Sequence, residues 1–335
     1  MKAKILFLSA CITAFLLILS CTKANSVQSK EITLVMAEAN PEGTISAEMD
    51  KAFKEKVEEL SGGKIKIELH FTSNLGDEQT IMDYMTKPGS SIQLERISAF
   101  NLSTYGCYKS SLLAIPYTFS NHEHFWKFAE SKEADEILTE PYEKKVGLKG
   151  LFFGEEGFRH FFATKPIYET KDFNRIKLRT TSDPIMQGIA TGLGAEPVSV
   201  AFADLFSALQ TGVADAAEQP IANYLANHFN KIAPYMILDG HTLGVTEVII
   251  SSEAWDSLSE HQKKILTEAG KYAMETCKKI SQDAEIAAKK QLVKEGTIFV
   301  EITNPAPWKK SCEGIISEYE KIAPHLYQKI LWHAN

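Results

Sequence analysis

Residues 32–71 switch between the two hydrophobic periods of secondary structure, and this switch constrains the fold more than any other feature. Residues 32–36 form a short β-rich run, and apolar side chains then recur at helical spacing over residues 49–60. Ser61-Gly62-Gly63 interrupts that pattern, after which residues 65–71 alternate apolar and polar side chains, as a strand with one buried face does. A β-α-β unit of this kind pairs its strands in parallel, so the sequence predicts an α/β fold.

The same alternation continues along the chain and leads to one unusually long helical stretch. Residues 252–295 contain no proline and a single glycine, Gly270, while apolar residues keep a helical rhythm. A helix of about 40 residues, at about 1.5 Å rise per residue, is longer than one small domain is wide. We therefore expect it to lie across two α/β lobes, each with its own core. Before it, the pattern predicts a helix over residues 122–140 and strands at residues 150–154, 161–163, 175–179 and 213–215.

The N-terminal residues have the composition of an export signal. Two lysines precede an apolar run over residues 5–19, which is too short to predict a membrane span. The four residues that end at Cys21 resemble a bacterial lipobox, which implies a lipoprotein signal peptide over residues 1–21 and a lipidated Cys21. A plain secretory signal with an incidental cysteine and a short anchor helix are the alternatives. Residues 22–30 are polar and typical of a flexible tether, so we expect an extracytoplasmic protein anchored to the cell membrane by lipid.

Charge argues against a nucleic-acid-binding protein, and cysteine usage argues against a disulfide-stabilised one. The net charge is −7 and the pI is about 5.8, with lysines mixed among acids, so nucleic acid is not an expected partner. Beyond the signal and its cysteine, Cys107, Cys277 and Cys312 are too few and too scattered for a disulfide framework. We expect packed thiols, and one bridge among the three remains open.

No motif of catalysis, cofactor binding or metal binding occurs in the sequence. It has no dinucleotide glycine fingerprint, phosphate loop, nucleophile elbow or zinc-protease helix. His122 and His124 are separated by one residue, and side chains at that spacing do not face each other on a helix. The sequence therefore predicts neither an enzyme nor a cofactor or metal site.

A set of short motifs is distributed along the chain. These motifs are Ser73-Asn74-Leu75-Gly76-Asp77-Glu78, Ile115-Pro116-Tyr117, Thr164-Lys165-Pro166-Ile167, Asp172-Phe173 with Lys177-Leu178-Arg179, Leu193-Gly194-Ala195-Glu196-Pro197 and Ala208-Leu209-Gln210-Thr211-Gly212-Val213-Ala214-Asp215. In the order and spacing of these motifs, which match over nearly all of the chain from residue 31, the chain resembles the DctP-type substrate-binding proteins of tripartite ATP-independent periplasmic (TRAP) transporters.

The resemblance implies a periplasmic-binding-protein fold of type II, with two α/β lobes joined by crossing strands and a long helix spanning both. Residues 31–156 and 245–284 would form lobe I, and residues 157–244 and 285–335 lobe II. The implied function is that of an extracytoplasmic receptor. It would bind a small carboxylate ligand, an organic acid, between the lobes and deliver it to integral membrane subunits.

Arg179 is the residue most strongly implicated in binding. It matches the family arginine that pairs with the ligand carboxylate, and it ends a predicted strand. In open α/β sheets ligands bind beyond the carboxyl ends of strands. A guanidinium also presents a planar fork of donors that meets both carboxylate oxygens, whereas an ammonium gives only a point charge. The alternative is a solvated surface arginine.

Six other residues are implicated by the resemblance alone. Arg159 matches a second arginine, Gln219 an amide that supports the same carboxylate, and Phe202 an aromatic that packs on the ligand. Glu78 and Glu95 fall where acids contact the far end of sialic-acid ligands, and Ser182 stands where some members carry an amide. The alternatives are an ion pair for Arg159, a turn cap for Gln219 and an acid in the first turn of a helix for Glu78.

Three other functions remain open at this point. A binding protein of an ATP-driven importer would share the lobed architecture, and an extracytoplasmic enzyme could be built on it. A non-catalytic surface lipoprotein would have the same N-terminus but no cleft. The motif set favours the TRAP receptor over each of them.

Overall fold

The computed structural model describes residues 31–334, in which nine strands form one mixed sheet. The strands are β1 (Ile32–Ala37), β2 (Ile65–His70), β3 (Leu94–Ser98), β4 (Leu148–Ala163), β5 (Lys177–Thr180), β6 (Glu196–Ser199), β7 (Ala216–Pro220), β8 (Tyr235–Ser251) and β9 (Ile298–Glu301). Their order in the sheet is β2-β1-β3-β8-β4-β7-β5-β6, and β9 pairs with β8. The predicted export signal, Cys21 and tether lie outside the described residues.

Helices cover the sheet, and several begin at a side chain that caps the first turn. Thr44, Asp77 and Asp183 each accept a hydrogen bond from a backbone N–H two or three residues on. The helices are α1 (Ile45–Leu60), α2 (Glu78–Met85), α3 (His122–Ala129), α4 (Lys132–Glu143), α5 (Pro184–Gly192), α6 (Leu205–Thr211), α7 (Ile221–Ala226), α8 (Ser252–Ser257), α9 (Glu260–Lys294), α10 (Ala306–Tyr319) and α11 (Pro324–Trp332).

The sheet has two parallel halves joined by two long antiparallel strands. In the first half β1 lies parallel to β2 and β3, and in the second half β5 lies parallel to β6 and β7. The strands β4 and β8 pair antiparallel with each other; β8 also pairs with β3, and β4 with β7. The predicted fold, two α/β lobes joined by crossing strands, is confirmed.

The two long strands are irregular where the sequence places the boundary between the lobes. Their register shifts between Glu155 and Phe158, and Gly157 has a φ of +93°, which favours glycine. At this crossing His122 Nδ1 lies 2.8 Å from Glu155 Oε1, and its Nε2 lies 3.7 Å from Glu285 Oε2. Burial alone would lower the pKa of His122, but the two carboxylates raise it to about 10. The assignment of residues 31–156 and 245–284 to one lobe stays a prediction.

The long helix α9 connects the cores of the two halves. It has 35 residues, which at about 1.5 Å per residue gives a rod of about 50 Å. Ile265 belongs to the main core cluster, whereas Ala288 and Leu292 belong to the cluster around α6 and α7. The long helical stretch predicted over residues 252–295 is divided into α8 and α9, because Ser259 and Gln262 form a capping box that starts α9 afresh.

Three other boundaries also differ from the sequence predictions. The two strands predicted at residues 150–154 and 161–163 are one strand, β4, because its glycines mark close packing and not turns. The helix predicted over residues 122–140 is divided into α3 and α4, where Ser131 caps the second. Residues 213–215 are not a strand: Gly212 ends α6 in a left-handed conformation, and β7 begins only at Ala216.

Cys107, Cys277 and Cys312 are buried free thiols. Within residues 31–334, no helix combines the length and the apolar character that a bilayer crossing requires.

Candidate functional site

A cleft of about 250 Å³ lies where the carboxyl ends of strands from both halves of the sheet meet. Each half contributes one wall, and β4 contributes residues between them. The first wall includes Asn40, Ser73, Asp77, Glu78, Arg96 and Asn101, the second includes Arg179, Ser182, Val200, Phe202, Gln219 and Asn223, and β4 adds Glu156 and Arg159. Six of the seven residues predicted to bind ligand line this cleft.

Arg179 lies on the second wall, near the carboxyl end of β5. It is only 3% exposed, and its Nε donates a hydrogen bond to the carbonyl oxygen of Val200 at 2.8 Å. No carboxylate among residues 31–334 lies within ion-pair distance of its guanidinium. Burial lowers its pKa to about 10, so the side chain remains charged at neutral pH. The structure therefore holds an arginine in the cleft that lacks an acid partner among the described residues.

Arg159 also reaches the cleft, but its fork is already occupied by Glu218. Its Nε and Nη2 both bond that carboxylate, the second at 2.8 Å. Burial alone would lower the pKa of Arg159, but Glu218, together with Glu156 and Glu78, raises it. The sequence left a binding role and an ion pair open for this residue. The structure shows the ion pair, on a side chain that also lines the cleft.

Gln219, Phe202 and Ser182 complete the predicted residues of the second wall. Gln219 is 4% exposed and follows Glu218 on β7. The ring of Phe202 meets the ring of Phe229 edge to face at 6.2 Å between centroids, so an aromatic pair holds it in place. Ser182 is exposed and directly precedes the cap of α5. The arrangement places an amide, an aromatic face and a hydroxyl in the same cleft as Arg179.

Glu78 lies on the first wall as the first residue of α2. Its Oε1 accepts a hydrogen bond from Arg96 Nη1 at 3.0 Å. Its Oε2 accepts from the backbone N–H of Ser98 at 3.1 Å and from the side-chain amide of Asn101. Burial raises the pKa of Glu78, although Arg96 opposes the change. Glu78 therefore occupies the first turn of α2 and also lines the cleft, so both positions expected for it are found in the structure.

Arg96 is a cleft residue that sequence reasoning missed. It is 1% exposed; its Nε bonds Glu38 at 2.7 Å, and its Nη2 makes a second bond to the same carboxylate. Glu156 lies 3.8 Å from Nη1 on the side of β4. One feature of the sequence could have indicated this role. Glu95 and Arg96 are flanked by Leu94 and Ile97, and a strand that continues through such a charged pair buries a charge that must be neutralised.

Glu95 is the predicted site residue that does not line the cleft. It neighbours Arg96 on β3, and successive side chains of a strand point to opposite faces. It is 2% exposed, and its Oε2 has no hydrogen-bond partner. Burial raises the pKa of its carboxyl well above the usual value. The structure therefore places Glu95 behind the strand that carries the first wall.

Fold and cleft together define a class of protein. Two α/β lobes enclose a cleft with convergent hydrogen-bonding groups and a buried cation that lacks an acid partner among residues 31–334. The described residues contain no group of three or more side chains that could hold a metal ion. Such an architecture suits the capture of a small anion in a closed space.

Comparison with known proteins identifies the family. Residues 36–322 match the DctP family, described as bacterial extracellular solute-binding protein, family 7. The chain belongs to this family. The predicted assignment to TRAP receptors is confirmed, and the alternative of a receptor for an ATP-driven importer is not supported.

Three relatives show how closely the chain follows the family. It is 27% identical over 259 residues to the C4-dicarboxylate-binding periplasmic protein DctP of Rhodobacter capsulatus, covering 76% of this chain and 75% of that protein. It is 24% identical over 307 residues to the sialic acid-binding periplasmic protein SiaP of Vibrio cholerae, covering 90% and 92%. A TRAP periplasmic solute binding protein of a Polaromonas species, solved bound to D-erythronate, superposes with a TM-score of 0.84 at 26% identity and covers 90% and 98%. All three relatives are named as periplasmic binding proteins.

Proposed function

We propose that this receptor captures a small organic acid in the cleft, with Arg179 binding the ligand carboxylate, and delivers it to the integral membrane subunits of a TRAP transporter. The observation that carries the proposal is the buried Arg179 guanidinium, which has no carboxylate partner among the described residues. A buried cation is stabilised by a paired anion, and the planar fork of arginine fits a carboxylate in two parallel hydrogen bonds.

Neighbouring side chains would orient the bound acid. Arg159 adds positive potential from behind its ion pair, and Gln219 can donate an amide N–H to a carboxylate oxygen. Phe202 offers an aromatic face to the apolar part of the ligand. The relatives support an acid in general, since one is named for C4-dicarboxylates, one for sialic acid and one was solved with D-erythronate.

The role of Arg179 in binding is tested by the pair of substitutions Arg179→Ala and Arg179→Lys. Removing one member of a buried charge pair costs about 2–5 kcal/mol, so alanine should weaken binding by roughly 30- to 5000-fold. Lysine keeps the charge but loses the fork, so it should also be clearly impaired. Calorimetry with the tightest-binding acid from a panel of D-erythronate, succinate and N-acetylneuraminate measures both variants. The exposed Arg175, changed to alanine, is the matched control.

A folded Arg179→Ala protein that binds the same acid within about twofold of wild type would overturn this assignment, because that difference is within the scatter of one hydrogen bond. Recovery of the acid unchanged after prolonged incubation, checked by mass spectrometry, is the expected result for a receptor that carries out no covalent chemistry.

Membrane attachment would come from lipid on Cys21. The apolar run that ends at this cysteine and the polar residues after it support the assignment. Mass spectrometry of the native product should show an acylated N-terminal cysteine, and Cys21→Ser should release the receptor from the membrane fraction. A native product cleaved elsewhere, with Cys21 absent or unmodified, would contradict it.

A further inference from the structure

The number of charges in the cleft restricts the number of carboxylates that its ligand can carry. Three arginines are the only basic side chains among the described residues that line the cleft: Arg96, Arg159 and Arg179. A ligand carboxylate needs a guanidinium whose fork is still open, because a buried anion without a partner is strongly disfavoured. The question is therefore how many of the three forks are open.

The charge of Arg159 is already neutralised by an acid of the protein. Two of its nitrogens bond Glu218, and the third, Nη1, makes no hydrogen bond but lies 4.0 Å from Glu156 Oε2. The side chain lies between two acids and is 5% exposed. A second ligand carboxylate that met Nη1 would lie against Glu156, and like charges brought together at a binding interface are strongly disfavoured.

Arg96, on the wall opposite Arg179, has all three of its nitrogens bonded to acids. Glu38 occupies its Nε and Nη2, and Glu78 takes Nη1 at 3.0 Å. Glu78 thus stands on the cleft surface as an anion built into the protein. It occupies the nitrogen that a second ligand carboxylate would otherwise meet.

The rest of the first wall favours hydroxyl groups over a charge. Asp77 adds another carboxylate beside Glu78, while Asn40, Ser73 and Asn101 contribute amides and a hydroxyl. A hydroxyl group can donate to the carboxylates and accept from the amides. A second anion would lie against two acids, and like charges brought together at a binding interface are strongly disfavoured.

We propose that the ligand is a monocarboxylate with an uncharged, hydroxylated remainder, and that Glu78 is the residue that excludes dicarboxylates. This inference rests on the proposed function, since Arg179 must hold the first carboxylate. The relatives leave the question open, because they include a receptor named for C4-dicarboxylates and one solved with D-erythronate.

Matched pairs of sugar acids test the proposal in the wild-type receptor. D-Erythronate and meso-tartrate, D-gluconate and D-glucarate, and D-galactonate and galactarate differ only in whether the terminal carbon is a hydroxymethyl group or a second carboxylate. After removal of any copurified ligand, calorimetry should show at least one monoacid bound about 30-fold or more tighter than its diacid partner. A diacid that binds as tightly as the best monoacid would refute the inference and leave the proposed function intact. Binding of none of these six acids at millimolar concentration would refute the inference, and the proposed function would fall with it only if succinate and N-acetylneuraminate did not bind either.

The substitution Glu78→Gln tests whether Glu78 causes the preference for monocarboxylates over dicarboxylates. Glutamine keeps the shape and removes the built-in anion; its oxygen can accept from Arg96, but its amide group cannot accept from Ser98 and Asn101 as Oε2 of Glu78 does. The ratio of monoacid to diacid affinity should fall by about tenfold or more, mainly through tighter diacid binding. Glu123→Gln, an equal change of charge at an exposed residue outside the cleft, should leave the ratio unchanged. A folded Glu78→Gln receptor with the wild-type ratio would refute the role of Glu78, and the wild-type comparison remains decisive if this variant does not fold.

Discussion

Replacing Arg96 by methionine tests how strongly the buried ion network stabilises the fold. Methionine has a similar length but no charge, so the carboxylates of Glu38, Glu78 and Glu156 would remain buried without their cation. Breaking a buried ion pair by removing one partner costs about 3–5 kcal/mol. Domains are stable by only about 5–15 kcal/mol in total, so a large share of the stability should be lost.

The loss should depend on pH with a definite sign. Burial raises the pKa of Glu78 and Arg96 opposes that rise, so without Arg96 the pKa of Glu78 should lie further above its unfolded value, and the folded variant binds more protons than the unfolded chain. Its stability is then greatest at low pH and falls as the pH rises. The difference in unfolding free energy between wild type and Arg96→Met should therefore widen from about pH 5 to about pH 8.

Urea unfolding of the ligand-free protein at several pH values measures this difference directly. Arg175→Met is the control, because Arg175 is exposed and surface substitutions usually change stability by about 0.5 kcal/mol or less. A variant within about 1 kcal/mol of wild type at pH 8, or a difference that widens as the pH falls, would refute the reasoning.

Three further predictions concern packing, protonation and motion. Gly270→Ala should destabilise the protein although alanine favours helix by about 1 kcal/mol, because its Cβ would lie 2.7 Å from the ring of Phe152. Gly314→Ala, in open space on α10, should instead stabilise it by about 0.5–1 kcal/mol, and a stabilised Gly270→Ala protein would contradict the packing argument. The folded-state pKa of His122 is raised above its unfolded value, so its stabilisation is complete below about pH 6.5 and lost as the pH rises towards about 10. His122→Gln should therefore show its largest deficit in urea unfolding at low pH, and a deficit that grows with pH would contradict the ion pair. Ligand binding should close the lobes, so small-angle scattering profiles of stripped and saturated receptor should differ, and identical profiles would exclude closure.

The features that could be predicted from the sequence are those that local hydrophobic periodicity and the direction of the strands determine. The β-α-β opening follows from residues 32–71 alone, and the position of Arg179 at a strand end is enough to suggest a binding role. The glycines of β4 show the limit of this reasoning. The sequence predicted two strands on either side of residues 155–160, yet β4 runs through them without a turn, and Gly154 lies where Met49 leaves no room for a Cβ.

The charged residues of the first wall could not be derived from the sequence in the same way. Glu95 and Arg96 are neighbours, and a shift of one residue exchanges the two faces of a strand, so the sequence does not say which of them meets the cleft. The partners of Arg96 come from three separate segments of the chain: the loop after β1, the start of α2, and β4. Hydrophobic periodicity reports which apolar positions are buried, and it carries no information about ion pairs between distant segments.

The central pairing of the sheet also bears on when the protein can fold. In the antiparallel ladder Leu94 lies opposite Ile250, and Leu148 lies opposite Ser251. Strand β3 of the first half therefore cannot pair with β8 until the chain has been made as far as residue 251. Contacts between such distant segments form slowly, because the chain must close a long loop before they stabilise anything. The sheet therefore cannot be completed until β8, which ends at residue 251, has been made. That delay suits a protein whose predicted signal peptide would direct it through a narrow secretion channel before it folds.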